Sequence, residues 1–259
     1  MKTYEIFALK YAGPLEGPAM MLQWMKRIGE TARRGYFFWC IRGAGGDPDE
    51  TFIVDAGFSP AAAADREIPG YVNPVEMLAR LGVDAACVKH VILTHLHWDH
   101  ANGVSLFPNA AFYVQGKEYR FWKENPLAQR PPFRHIGDDG AMRFLSTLEG
   151  SPRLVILDGD TDIKPGICCV LAPGHSVGLQ VVTVQTAKGA AVVGSDCAHV
   201  FENYTEDWPS SIITDMLEWL RTYDKVRALV SDTALLFPGH DMRMVEDYHL
   251  VAKDVTKLA

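Results

Sequence analysis

Val91-Ile92-Leu93-Thr94-His95-Leu96-His97-Trp98-Asp99-His100 places three imidazoles and a carboxylate within six positions, directly after an apolar run. Imidazole and carboxylate are the side chains that hold zinc and similar divalent ions. A cluster this dense is costly to build for packing alone. It points to a metal site at the end of a buried strand. His95 and His97 are two apart, so an extended chain turns both to the same side. Asp99 and His100 lie past Trp98, where the chain must turn toward a second point. One short loop can therefore feed two metals.

Two metals need more ligands, and downstream strand ends offer them. Pro173-Gly174-His175-Ser176 puts a histidine on a tight turn after Ile167–Leu171. Val192-Val193-Gly194-Ser195-Asp196 puts a carboxylate just past a buried strand. Leu235-Leu236-Phe237-Pro238-Gly239-His240 repeats the arrangement of apolar run, Pro-Gly and His. Ligands held at the ends of several rigid elements can converge on one point. His90, His135 and His249 read instead as exposed or hydrogen-bonded side chains.

The 259 residues, 48% of them hydrophobic, suffice for one domain with a sizeable core. A net charge of -7 argues against broad nucleic-acid binding, which needs basic surface. No apolar run approaches the ~20 residues of a membrane span. Met1–Lys10 alternates and reads as a first strand, not a signal peptide. Five cysteines without a CxxC pair suggest free buried thiols in a cytoplasmic protein.

Strands are expected at Tyr4–Lys10, Gly35–Arg42 (ending in the turn Gly43-Ala44-Gly45-Gly46), Thr51–Gly57, Ala111–Val114, Leu154–Leu157, Ile167–Leu171, Leu179–Val184 and Ala191–Gly194. Met20–Met25 reads as a loop packed on the body, with a mobile apolar flap as the alternative. Asn73–Gly82 reads as a helix with Asn73 as N-cap and Pro74 in the first turn. Helices are also expected at Lys117–Trp122, Ser211–Tyr223 and Met242–Lys257. Asn125–Gly150 reads as an irregular insertion over the site. Two batches of strands with helices between them suggest a layered α/β domain.

The run His-x-His-x-Asp-His, followed by Pro-Gly-His, Gly-x-Asp and a second Pro-Gly-His, resembles the metallo-β-lactamase superfamily from Asp55 to His240. The resemblance implies an αββα sandwich, one domain over 1–259, with two metals at one edge of its sheets. It implies His95, His97 and His175 on the first metal and Asp99, His100 and His240 on the second. Asp196 would bridge them, and Asp55 would orient ligands without touching metal. Val54-Asp55-Ala56-Gly57, Thr94–Gly103 and Gln115-Gly116-Lys117-Glu118-Tyr119 are most similar to the N-acyl homoserine lactonase group. That group carries a substrate-bonding tyrosine three residues after the bridging aspartate. Here that residue is His199.

The implied activity is a metal-dependent hydrolase opening a small-molecule lactone by attack of a metal-bridging hydroxide. Asp99 would handle the proton and His199 would support the oxyanion or the leaving group. Zinc is the expected metal, with manganese, iron and cobalt also suited to these ligands. A cyclic amide, imide or thioester is the alternative substrate, because histidine can protonate an amide leaving group. A flavin-coupled di-iron module would need a partner domain for which the chain has no room, and a nuclease would need basic surface. A closed structural zinc site would usually hold cysteines. Cys197, beside Asp196, reads as a buried structural thiol. Oligomeric state is not readable from the sequence, although members of the family the chain resembles are often homodimers. Met20–Trp24, Phe58–Tyr71 and Asn125–Met142 are expected to shape the pocket, with Trp24, Phe58, Tyr71 and Phe133 lining it. Arg130 and Arg134 read either as exposed arginines without a partner, the commoner case, or as a pair for a substrate carboxylate.

Overall fold

Residues 2–43 and 47–259 are described by the structure, a computed structural model. Most of the turn expected at Gly43-Ala44-Gly45-Gly46 falls outside them. The strands are β1 (Tyr4–Pro18), β2 (Thr31–Gly43), β3 (Thr51–Val54), β4 (His90–Ile92), β5 (Ala111–Gln115), β6 (Leu154–Leu157), β7 (Thr161–Lys164), β8 (Ile167–Leu171), β9 (Gln180–Thr186), β10 (Gly189–Ser195), β11 (Leu236–Pro238), β12 (His249–Ala252) and β13 (Val255–Lys257). One sheet has the order β12-β13-β1-β2-β3-β4-β5-β6, and the other has the order β11-β10-β9-β8-β7.

Strand β2 shows why the sheets stack. Tyr36, Phe38 and Cys40 pack with Met77, Leu78 and Tyr119 of the helices Pro74–Ala79 and Gly116–Glu124. Phe37, Trp39 and Ile41 point the other way, onto Cys169, Val182 and Val193 of the second sheet. Burial on both faces makes this strand a continuous apolar run. The far face of the second sheet buries Val170, Val181 and Val192 against Trp219, Tyr223 and Val226 of the helix Met216–Leu229. The layers are therefore helix, sheet, sheet, helix: the expected αββα sandwich.

Several boundaries differ from expectation. The helix expected at Ser211–Tyr223 runs Met216–Leu229, because the Asp215 carboxylate caps it by accepting from Glu218 N (3.0 Å). The segment Met242–Lys257 holds only one helical turn, Arg243–Glu246, before β12 and β13. Strand β13 pairs antiparallel with β1, Phe7 opposite Lys257, a partner no local pattern announces. The insertion is more ordered than expected, with a helix at Asp139–Thr147 capped by Asp138 (2.6 Å to Ala141 N). The Met20–Met25 segment packs on the body: Asn203 Nδ2 donates to Leu22 O (2.6 Å), and Trp24 N to Pro209 O (2.8 Å). All five cysteines are free; Cys40, Cys169 and Cys197 are buried, Cys168 is half-buried, and Cys87 is exposed, against the expectation of buried thiols. Among the described residues, no helix is long and apolar enough to cross a membrane.

Candidate metal centre

The chain leaves β4 into His95, His97, Asp99 and His100, β8 into His175, β10 into Asp196 and β11 into His240. These loops meet at one place. Ligand atoms of His95, His97 and His175 lie within 4.8 Å of one another, as do those of Asp99, His100 and His240. Asp196 joins the two groups. Its carboxylate lies 3.2 Å from His240 Nε2 and 3.4 Å from both His100 Nε2 and His175 Nε2. All seven residues expected as ligands are thus brought together. Gly239 makes this approach possible, since a Cβ there would sit 2.1 Å from Asp196 Oδ1.

Hydrogen bonds on the outer ring nitrogens aim the inner ones. His175 Nδ1–H donates to Ile212 O (3.0 Å) and His240 Nδ1–H to Gly35 O (2.8 Å). His100 Nδ1–H donates to Asp55 Oδ2 (2.7 Å), and His95 Nδ1–H to Thr94 Oγ1 (3.0 Å). Each partner leaves an Nε2 lone pair directed inward, the tautomer a metal requires. Four buried atoms of the cluster have no hydrogen-bond partner: His95 Nε2, His100 Nε2, Asp196 Oδ1 and His199 Nε2. Orphaned buried polar atoms are costly, and three of these belong to His95, His100 and Asp196, whose ligand atoms lie within 4.8 Å of one another and so fit a cation held among them.

The charges agree. Burial, with the neighbouring imidazoles, holds His95 and His175 well below the usual histidine range, and burial holds His97 at about 4. These rings are neutral and able to ligate. Burial opposes charge on His100 and His240, yet Asp196 and Asp99 outweigh it and raise both. Burial works against the Asp196 carboxylate too, but His240, His100 and His199 hold its pKa well below the ordinary value. Unlike charges pressed together in this way are the natural setting for metal ions to replace protons.

Asp55 takes the supporting position expected of it. Its carboxylate accepts from Thr94 N (2.8 Å), Thr94 Oγ1 (2.9 Å), Ser195 Oγ (3.0 Å) and His100. Asp55 (φ 65°) and Ser195 (φ 45°) both adopt the left-handed backbone region, a strain of about 1–3 kcal/mol each that these bonds offset. Asp55→Asn presents an NH2 group where His100 donates. It is expected to weaken metal retention about 10–100-fold, measured as competition with a chromogenic chelator.

Sequence reasoning valued Glu118 only for its resemblance to a lactonase stretch. Its carboxylate is fully buried and accepts from Leu96 N (3.1 Å), Trp122 Nε1 (2.7 Å), Ser176 Oγ (2.9 Å) and Gly178 N (2.8 Å). It ties the His95–His97 loop to the His175 turn. Trp122 four residues on, one helical turn away, was the available signal.

A cavity of about 260 Å³ opens over His97, Asp99, Asp196, His199 and His240. Each of the three expected segments contributes to it, through Met21 and Leu22, Arg66, and His135 and Ile136. The named aromatics do not. Phe58 is fully buried, Tyr71 gives its hydroxyl to Phe58 O (2.9 Å), Trp24 is exposed, and Phe133 packs on Phe121. Arg130 and Arg134 are exposed and lie outside this cavity, whose cations are Arg34 and Arg66. His90 lies against Tyr113 Oη (3.0 Å), and His249 is exposed, both as expected. His135 is exposed too, but at the cavity rim. Cys197 is buried, its thiol pushed up to about 12 by burial, as a structural thiol should be.

Residues 38–240 match the family described as the metallo-beta-lactamase superfamily. The chain belongs to that superfamily and is a metal-dependent hydrolase. Within it, the chain is similar to N-acyl homoserine lactonases. It is 29% identical over 179 residues to the N-acyl homoserine lactonase AttM of Azorhizobium caulinodans, spanning 68% of this chain and 65% of that one. It is 27% identical over 207 residues to an N-acyl homoserine lactonase of Bacillus thuringiensis, spanning 73% of this chain and 76% of that one. In fold it is similar to an N-acyl homoserine lactone hydrolase solved with N-hexanoyl-L-homoserine bound at its catalytic metal center. That match has a TM-score of 0.78 at 19% identity and covers 97% of this chain and 98% of the other.

Proposed function

We propose that this chain, acting as one domain, holds two divalent ions, zinc by its nitrogen-rich donors, and opens a lactone. The observation that carries this is the meeting of two donor groups on Asp196, with orphaned ligand atoms on His95, His100 and Asp196 close together. His95, His97 and His175 would hold one ion, Asp99, His100 and His240 the other, and Asp196 both. Bound zinc supplies a water acidic enough to react at neutral pH and polarises a carbonyl. The chain's own groups do the rest. Asp99, the most exposed of the ligands at 13% of its side chain, faces the cavity and is placed to take up the proton released as water adds. His199 lines the same cavity, its Nε2 2.9 Å from Asp196 Oδ2. Burial lowers its pKa against the pull of Asp196, so a neutral ring with one N–H is available to the developing oxyanion.

His199 favours a second reading, a cyclic amide, imide or thioester, because an amide leaving group needs a proton more than an alkoxide does. A panel of matched lactones and lactams separates the two. Stripped protein is expected to lose lactone turnover and zinc to restore it; turnover indifferent to chelation overturns the metal mechanism. For His199→Tyr, a gain on lactones with a loss on lactams would support the amide reading. A lactone rate that stays within threefold of the wild type would leave His199 only a packing role.

A further inference from the structure

The proposed lactone chemistry leaves one pair of groups at the cavity without a task. Arg34 and Arg66 line it beside the metal loop. The Arg66 guanidinium lies 4.0 Å from the centre of the Trp98 ring, inside the His95–His100 loop, and donates to His135 O at 3.4 Å. Stacking on the indole holds the ion while leaving its edge free to bond. Arg34, half-buried, lies on β2 two residues before Tyr36, and both line the cavity, whereas Arg66 is exposed at it. Burial and the Asp99 carboxylate raise the Tyr36 phenol, while Arg34, through its charge and a hydrogen bond, and Arg66, through its charge, pull against that rise. Among the described residues neither arginine forms an ion pair, and no other arginine lines the cavity.

Two unpaired guanidinium groups facing one reaction site are a receptor for an anion. The cavity is also small, below the roughly 300 Å³ where pockets for drug-sized ligands begin. We infer that the substrate is a compact lactone bearing a carboxylate, which Arg34 and Arg66 grip while the ring carbonyl lies over the metals. This rests on the hydrolytic reading above, and it moves the carboxylate contact from Arg130 and Arg134 to a different pair.

The test uses metal-loaded protein and two inert ring analogues, tetrahydrofuran-2-carboxylate and its carboxamide, titrated calorimetrically. The acid is expected to bind at least tenfold more tightly than the amide. In Arg34→Gln/Arg66→Gln that preference is expected to fall below threefold, and in Arg34→Lys/Arg66→Lys to stay above it. Carboxylate binding to a metal is common to all three proteins, so the change in preference reads the arginines alone. Equal affinities in the wild type, or a preference undiminished by the glutamines, overturns the inference. Because binding is measured without turnover, a preserved preference in a protein that hydrolyses no lactone faults the reaction, and lactone turnover without a preference faults the pocket.

Discussion

Asp196→Asn is expected to lower lactone turnover by about 10³-fold, beyond the ~10–100-fold typical of a residue that only supports a ligand. Asp196 is the carboxylate that reaches both donor groups, within 3.4 Å of rings from each. Asparagine keeps the shape but turns one of its two sides into NH2, which cannot ligate. It also removes the negative charge that His100, His199 and His240 stabilise. The site is then expected to keep no more than one metal equivalent after dialysis, measured by elemental analysis beside kcat/KM. Two retained equivalents with full activity would show that Asp196 does not bridge.

Glu118→Gln is the second large effect, on stability. Four donors point at one carboxylate with no solvent to replace it. The amide nitrogen of glutamine would face two of them, donor against donor. Setting buried donors without acceptors costs about 1–3 kcal/mol each. A loss of roughly 3 kcal/mol, or on the order of 10 °C in melting temperature for a chain of this size, is expected by calorimetry. A shift under 2 °C would show the network to be dispensable. Because Glu118 joins the His97 loop to the His175 turn, metal content is expected to fall with stability.

The candidate metal ligands, which the structure brings together, were legible because their signal is local. His95 to His100 are consecutive, and His175, Asp196 and His240 each follow an apolar run at the point where a strand must end. The supporting groups were less visible. A lone Glu118 on a helix looks like a surface residue, and Ser195, which bonds Asp55, looks like a turn residue. The Met242–Lys257 segment misled for a related reason. Its apolar spacing suits a helix, but a hairpin turning at Asp254 (φ 58°) lets Val255 pair with Leu9, nearly the whole chain away. Side-chain pattern gives the period of an element, whereas backbone pairing depends on which edge is free.

By itself the sequence determined a layered α/β domain and a set of candidate donors, both written in short-range patterns of apolar runs and strand-end histidines and aspartates, and the family resemblance of those motifs implied the αββα sandwich. Tertiary structure decided the pocket. Arg34, Arg66, Trp98, His135 and His199 come from five separate segments, and only Trp98, inside the metal motif, and His199, where the resemblance expects tyrosine, were marked by the sequence. A metal needs several strong donors, so its ligands stand out as a composition. A substrate cavity needs only surfaces that face one another, and only the fold sets which surfaces do.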